Sequence, residues 1–248
     1  MKAMNSDLPL TVPEVVFFDL DNTLYDYEQA HSQALSSVYK KVQDLLGLSQ
    51  VVFDEALSMA KIRVKNRLGN TAASHSRLLY FKEAIEICGL GPQPLISLEL
   101  EQAYWAKFLT EMQFFENAIE FLEDLRVSGV RMILITDLTA QIQLRKVAFL
   151  GIEKYFDVIV TSEEAGAEKP DLAPFALALE RLGETVENSW FIGDSPSKDT
   201  LGARTHLGAL TFQRVDALNP AGTGELRPDF QFEHFDSMRK LFARTVSK

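Results

Sequence analysis

The sequence predicts an α/β fold, a doubly wound parallel sheet of Rossmann-like form into which an α-helical domain is inserted. Three observations point to it. Apolar runs of strand length occur at 15–18, 130–135, 157–161, 189–192 and 208–212; runs apolar on both faces suit strands buried in a parallel sheet. Helix-like segments of crossover length separate the later runs, the alternation of a doubly wound sheet. The interval between the first two runs, from about 25 to 116, is far too long for an ordinary crossover and is helical in pattern rather than loop-like.

In chain order, "VVFF" at 15–18 is the first strand, and "DLDNTLYD" follows it into the insertion. Residues 28–46 place Ala30, Ala34, Leu35, Val38, Val42, Leu45 and Leu46 at helical spacing before Gly47. Segments 51–68, 76–88 and 97–112 are also helical, the last two separated by Gly89-Leu-Gly-Pro92. A helix at about 117–128 leads back to the sheet. "TAQIQLRKVAFL" (139–150) stops at Gly151 and "DLAPFALALERL" (171–182) at Gly183, glycine after the last apolar position being a helix stop. The tail from about 213 to 248 reads as a loop and a terminal helix. These elements divide the chain into an α/β core domain, 1–24 with 113–248, and an α-helical domain, 25–112.

The composition narrows the function classes. A net charge of −10 argues against a nucleic-acid backbone as partner. No apolar run is long enough to span a bilayer, and the first residues have no leader-like apolar core. Cys88 is the only cysteine and has no internal disulfide partner. These features suggest a cytoplasmic protein that contacts no membrane.

In open α/β sheets, ligands bind beyond the carboxyl ends of the strands, and the polar residues expected there form a pattern. Asp19, Asp21 and Thr23 follow the first strand, and Thr136 and Asp137 the second. "EEAGAEKPD" places Lys169 after the third, and "GDSPSKD" places Asp194 and Asp199 after the fourth. Clustered aspartates are hard oxygen ligands suited to Mg²⁺ and a substrate phosphate. With the four histidines scattered, the available nucleophile is a carboxylate.

With these motifs the sequence resembles the haloacid dehalogenase (HAD) superfamily, in particular its phosphatases with a type 1 helical cap. "FDLDNTL" is similar to that family's first motif, and Thr136, Lys169 and "GDSPSKD" fall at the second, third and fourth. The resemblance implies that Asp19 attacks phosphorus to form an aspartyl-phosphate. Asp21 would protonate the leaving oxygen, keeping its proton near neutral pH through apolar packing and the neighbouring carboxylate. Thr136 and Lys169 would bind the transferring phosphoryl group. Asp19, the backbone carbonyl of Asp21, and Asp194 would hold Mg²⁺, with Asp199 as an outer or alternate ligand. Asp137 stands where the family usually has asparagine; facing the phosphate it would repel it, so only its backbone N–H, or no part of it, is expected to contribute.

The implied activity is Mg²⁺-dependent hydrolysis of a small phosphorylated metabolite, of the nucleotide or sugar phosphate class. Dehalogenases of the family lack the second aspartate. A phosphosugar mutase shares both aspartates and stays open, as does a non-catalytic binding protein on the same scaffold. Plainer readings compete at single residues: Thr136 as a helix cap, Asp199 as an acid favoured by a helix dipole. The segment 63–84 carries Arg63, Lys65, Arg67, His75, Arg77 and Lys82. It reads either as a loop over the site, with His75 or Arg77 near the substrate's remote end, or as a solvated helix pair. "AYWAKFL" (103–109) reads as helical core.

Overall fold

The computed structural model describes residues 1–4 and 10–247. By contact density the chain divides into two compact units, Met1–Asp26 with Phe114–Lys248, and Tyr27–Gln113.

The first unit is built on a sheet of seven strands, β1 (Lys2–Ala3), β2 (Val15–Phe18), β3 (Arg131–Thr136), β4 (Val158–Thr161), β5 (Ser189–Gly193), β6 (Leu210–Arg214) and β7 (Phe230–Phe232), in the order β1-β7-β6-β5-β2-β3-β4. All pairings are parallel except the short edge strand β1 on β7. β2 is an interior strand between β5 and β3 and is fully buried, as its uninterrupted apolar run requires. Its register sets Phe18 beside Leu134 of β3 and Ile192 of β5, so the three strands end nearly flush. The chain runs from β2 outward to β3 and β4, then recrosses to β5 on the other side. That reversal opens a crevice at the carboxyl end of β2.

The crossovers are carried by α5 (Ala118–Val127), α6 (Ala140–Leu150), α8 (Leu172–Leu182) and α9 (Leu201–Leu207), with the single turn α7 (Ser162–Ala165) after β4 and α10 (Phe235–Val246) closing the chain. Gly151 and Gly183 end α6 and α8 in the left-handed conformation (φ +65° and +76°), where a side chain would be strained. Phe17, Phe175 and Phe191 pack on one face of the sheet, and Trp190, Phe212 and Phe242 form another aromatic group. The tail is more structured than expected: β7 adds to the sheet before the terminal helix. Its three residues are too few to stand out from loop by alternation.

The second unit is helical: α1 (Tyr27–Leu46), α2 (Gln50–Leu68), α3 (Arg77–Ile87) and α4 (Pro94–Glu111). α1 packs on α4 and α2 on α3. Ala30, Ala34, Val38 and Val42 recur every fourth residue on the buried stripe of α1, and small residues there leave room for the bulky Leu100, Tyr104 and Phe108 of α4. The aromatics of "AYWAKFL" are core. Ser49 and Ser76 cap α2 and α3, accepting from Val52 N and Leu79 N.

Candidate active site

The strand ends collect the polar residues of the first unit. Asp19 N donates to Ile192 O (2.9 Å), extending the β2–β5 ladder by one residue, and the chain then turns back at once. Thr23 N and Leu24 N both donate to Leu20 O (3.3 and 3.0 Å), and Asn22 adopts φ +59°, a conformation asparagine tolerates. This turn brings the Thr23 hydroxyl onto Asp19 Oδ2 at 3.0 Å.

Lys169 is the hub. Its buried Nζ donates to Asp19 Oδ1 (2.6 Å), Asp199 Oδ1 (2.7 Å) and Ile135 O (2.9 Å), using all three ammonium protons. Burial alone would lower its pKa, but Asp19, Asp199 and Asp137 outweigh that and hold it well above the usual lysine value. Asp19 is the reverse case. Burial, assisted by Asp199, Asp194 and Asp21, raises its carboxyl well above the usual range despite Lys169. Asp194 is pushed up to about 7 by burial and by Asp199, against the hydrogen bond from Asn219.

One oxygen from each of Asp19, Asp194 and Asp199 lies within 4.8 Å of the others. Three mutually repelling carboxylates, all oxygen donors, match what a hard divalent cation requires. Asp199 is held in place by donation from Ser195 N (2.9 Å) and Asp194 N (3.2 Å) to Oδ2, in addition to Lys169. It is buried and ion-paired, and it also stands in the first turn of the short helix 196–200, where the dipole reading placed it.

One expectation requires correction. Asp21 is not surrounded by apolar groups: the fully buried Lys146 of α6 donates to both its oxygens (2.8 and 2.7 Å) and the Tyr25 hydroxyl to Oδ1 (2.5 Å). The 63–84 segment is largely the solvated helix pair, α2 and α3, with one buried exception. Arg63 and Arg67 pair with Glu83, and Lys82 with Glu86, on the helices. Arg77 is buried at the start of α3, donating to His75 O (2.8 Å) and the Tyr27 hydroxyl, with Tyr80, Tyr104 and Trp105 rings within 6 Å of its guanidinium. His75 and Arg77 lie in the helical unit.

Thr136 ends β3, while Thr139 occupies the N-cap position of α6, so Thr136 is not the cap. Asp137 turns its side chain sideways, accepting from Lys169 N (3.1 Å) and Lys198 Nζ (2.9 Å); its charge is matched by a cation. The following Leu138 has φ +107°, strained backbone next to the site. Lys146, Gln143, Lys198 and Asn219 were not singled out by the sequence reading. For Lys146 the signal was present: it falls on the buried stripe of α6, where a lysine needs a partner.

Residues 13–206 match the family of haloacid dehalogenase-like hydrolases. The chain belongs to this family. Among the relatives of these hydrolases, the chain is 40% identical over 189 residues to a ribulose-1,5-bisphosphate 5-phosphatase of Halopiger xanaduensis, covering 76% of this chain and 79% of that protein. It is 31% identical to a glyceraldehyde 3-phosphate phosphatase of Methanothermobacter thermautotrophicus, covering 77% and 80% respectively. A solved 2-haloacid dehalogenase from Pseudomonas syringae pv. Tomato superposes with a TM-score of 0.72 at 25% identity, covering 94% of this chain and 99% of that one. The haloacid dehalogenase-like fold thus accommodates more than one chemistry, and the side chains at the strand ends must distinguish them. No helix among the described residues is long and apolar enough to cross a membrane.

Proposed function

We propose that this hydrolase is a Mg²⁺-dependent phosphomonoesterase acting on a small phosphorylated metabolite through an aspartyl-phosphate on Asp19. The observation that carries the proposal is the Asp19–Lys169–Asp199 chain beside Asp194, with Asp21 two residues from the nucleophile. Asp19, Asp194 and the backbone carbonyl of Asp21 would hold Mg²⁺, with Asp199 beside them. The ion would supply charge neutralisation for an incoming phosphoryl group.

Lys169 keeps Asp19 aimed and adds positive charge where the equatorial oxygens gather it. Thr136 and the Asp137 N–H bind the same phosphoryl oxygens. In its protonated form Asp21 gives that proton to the leaving oxygen; as the carboxylate that Lys146 holds it then takes one from the water that opens the phosphoenzyme. The dehalogenase reading has no use for Asp21, whereas an alkoxide leaving group needs it. Ribulose bisphosphate and glyceraldehyde 3-phosphate, named for the relatives, direct the substrate class towards small sugar phosphates. The helical unit, with His75 and the buried Arg77, is the proposed source of selectivity.

Asp19→Asn is expected to abolish Mg²⁺-dependent release of inorganic phosphate from a panel of sugar phosphates while thermal unfolding stays cooperative. Conversion of a sugar phosphate to an isomer without phosphate release would overturn the hydrolase reading, and retained turnover in Asp19→Asn would overturn the nucleophile.

A further inference from the structure

α6 carries two fully buried polar side chains three residues apart, Gln143 and Lys146. At this spacing they share one face of the helix, and each reaches a different strand end. Gln143 Nε2 donates to Asp137 O (2.6 Å) and to Thr136 Oγ1 (2.5 Å). A carbonyl oxygen can only accept, which fixes the amide with its NH₂ towards Asp137 and makes Thr136 Oγ1 an acceptor as well. The Thr136 hydroxyl proton must then point away from Gln143. Lys146 Nζ meanwhile donates to both oxygens of Asp21 and lies 6.0 Å from the centre of the Tyr25 ring, fixing where that carboxylate stands.

We infer that this face of α6 is a positioning element for phosphoryl transfer: Gln143 turns the Thr136 hydroxyl proton outward to donate to a phosphoryl oxygen, and Lys146 fixes the position of the Asp21 carboxylate relative to the leaving group. The inference rests on the phosphomonoesterase reading. Neither residue needs to touch substrate; both act through a group that does. Without Gln143 the Thr136 hydroxyl can rotate and donate to the Asp137 carbonyl instead. Without Lys146 the Asp21 carboxylate keeps the hydrogen bond from the Tyr25 hydroxyl and loses both of those from Nζ. One helix on one crossover thus sets side chains at the ends of two strands, Thr136 at β3 and Asp21 beyond β2.

The test is a pair of double-mutant cycles on the full-length protein with Mg²⁺. Gln143→Met keeps volume and removes the donor. It is expected to lower kcat by about tenfold, less than outright loss of an oxyanion donor, and to weaken inhibition by inorganic phosphate; in a Thr136→Val background it should do neither. Lys146→Met is expected to slow hydrolysis of an alkyl phosphate more than that of 2,4-dinitrophenyl phosphate, whose leaving group departs without a proton. In an Asp21→Asn background that difference should vanish, and Lys146→Arg should show a smaller difference than Lys146→Met by recovering part of the alkyl phosphate turnover. A purely structural role would lower both substrates alike and add across the cycles, which would overturn the inference. If Lys146→Met fails to fold, the Gln143 cycle and the Lys146→Arg leaving-group comparison decide alone. Absence of phosphate release by the wild type would instead defeat the underlying function, so the two failures are distinct.

Discussion

At Lys169 two hydrogen bonds hold two carboxylates that would otherwise repel each other, and the position of one of those carboxylates depends on an absence. Gly193 ends β5 where a Cβ would stand 2.4 Å from Asp199 Oδ2 and 2.6 Å from Asp199 Cβ. No side chain fits there unless Asp199 moves, because the contact includes the root of that side chain and not only its tip. Gly193→Ala is therefore expected to push Asp199 off Lys169 and off Ser195 N. Turnover should fall at least about tenfold, with a stability cost of about 1–3 kcal/mol for overpacking. Steady-state assay with thermal unfolding checks it, and an alanine variant of wild-type activity would show that Asp199 is dispensable in that position. Sequence made the residues of this cluster legible because each follows a strand-like run. It did not show how they are held: Asn219 and Lys198 reach Asp194 and Asp137 from loop and helical positions that no periodicity marks.

At the scale of elements, the strands and helices of the crossovers were readable because their apolar runs and terminal glycines are local signals. β7 was not, since a three-residue strand has no period, and the face of α6 gave only half its signal: the buried stripe marks Lys146 as needing a partner without naming which. Asp21 lies 125 residues from Lys146, and only the register of β2 against β3 brings them together. In the helical unit, α1 carries a similar hidden feature. His31 Nδ1 lies 2.6 Å from the Tyr104 hydroxyl, and its ring stacks on Tyr27. Burial, with Arg77 and Lys61 nearby, lowers its pKa to about 3. The unfolded chain, with an ordinary histidine near 6.5, then binds the proton that the folded unit refuses. Stability contributed by neutral His31 is full above about 6.5 and is lost as pH falls towards 3. His31→Gln should flatten the dependence of the unfolding temperature on pH across that window; an unchanged slope would show that His31 does not set it.

For the molecule as a whole, the doubly wound sheet concentrates negative charge at one crevice of an already acidic chain. Without a cation this is costly, and Asp194 shows it, with a value near 7 against the usual 3.8. Between those values the folded state holds a proton that the unfolded chain releases, so stability falls as pH rises through about 7. In chelator the unfolding temperature is expected to drop from pH 5.5 to 8, and Mg²⁺ should remove most of that drop by replacing the proton. Equal slopes with and without Mg²⁺ would contradict the metal site. A last consequence lies in the stem of the insertion. Leu24 O accepts from Phe115 N (3.0 Å), and Tyr25 bridges antiparallel to Phe114, so the two crossings of the chain are pinned together before the helices begin. To the sheet, everything between them is a closed loop, whatever its content. The entropy of closing a flexible loop grows only logarithmically, by about 0.6 kcal/mol per doubling of length. The stem therefore insulates the stability of the catalytic sheet from the size of what hangs on it, leaving the insertion free to be lengthened, shortened or rebuilt for a new substrate while the chemistry stays in place.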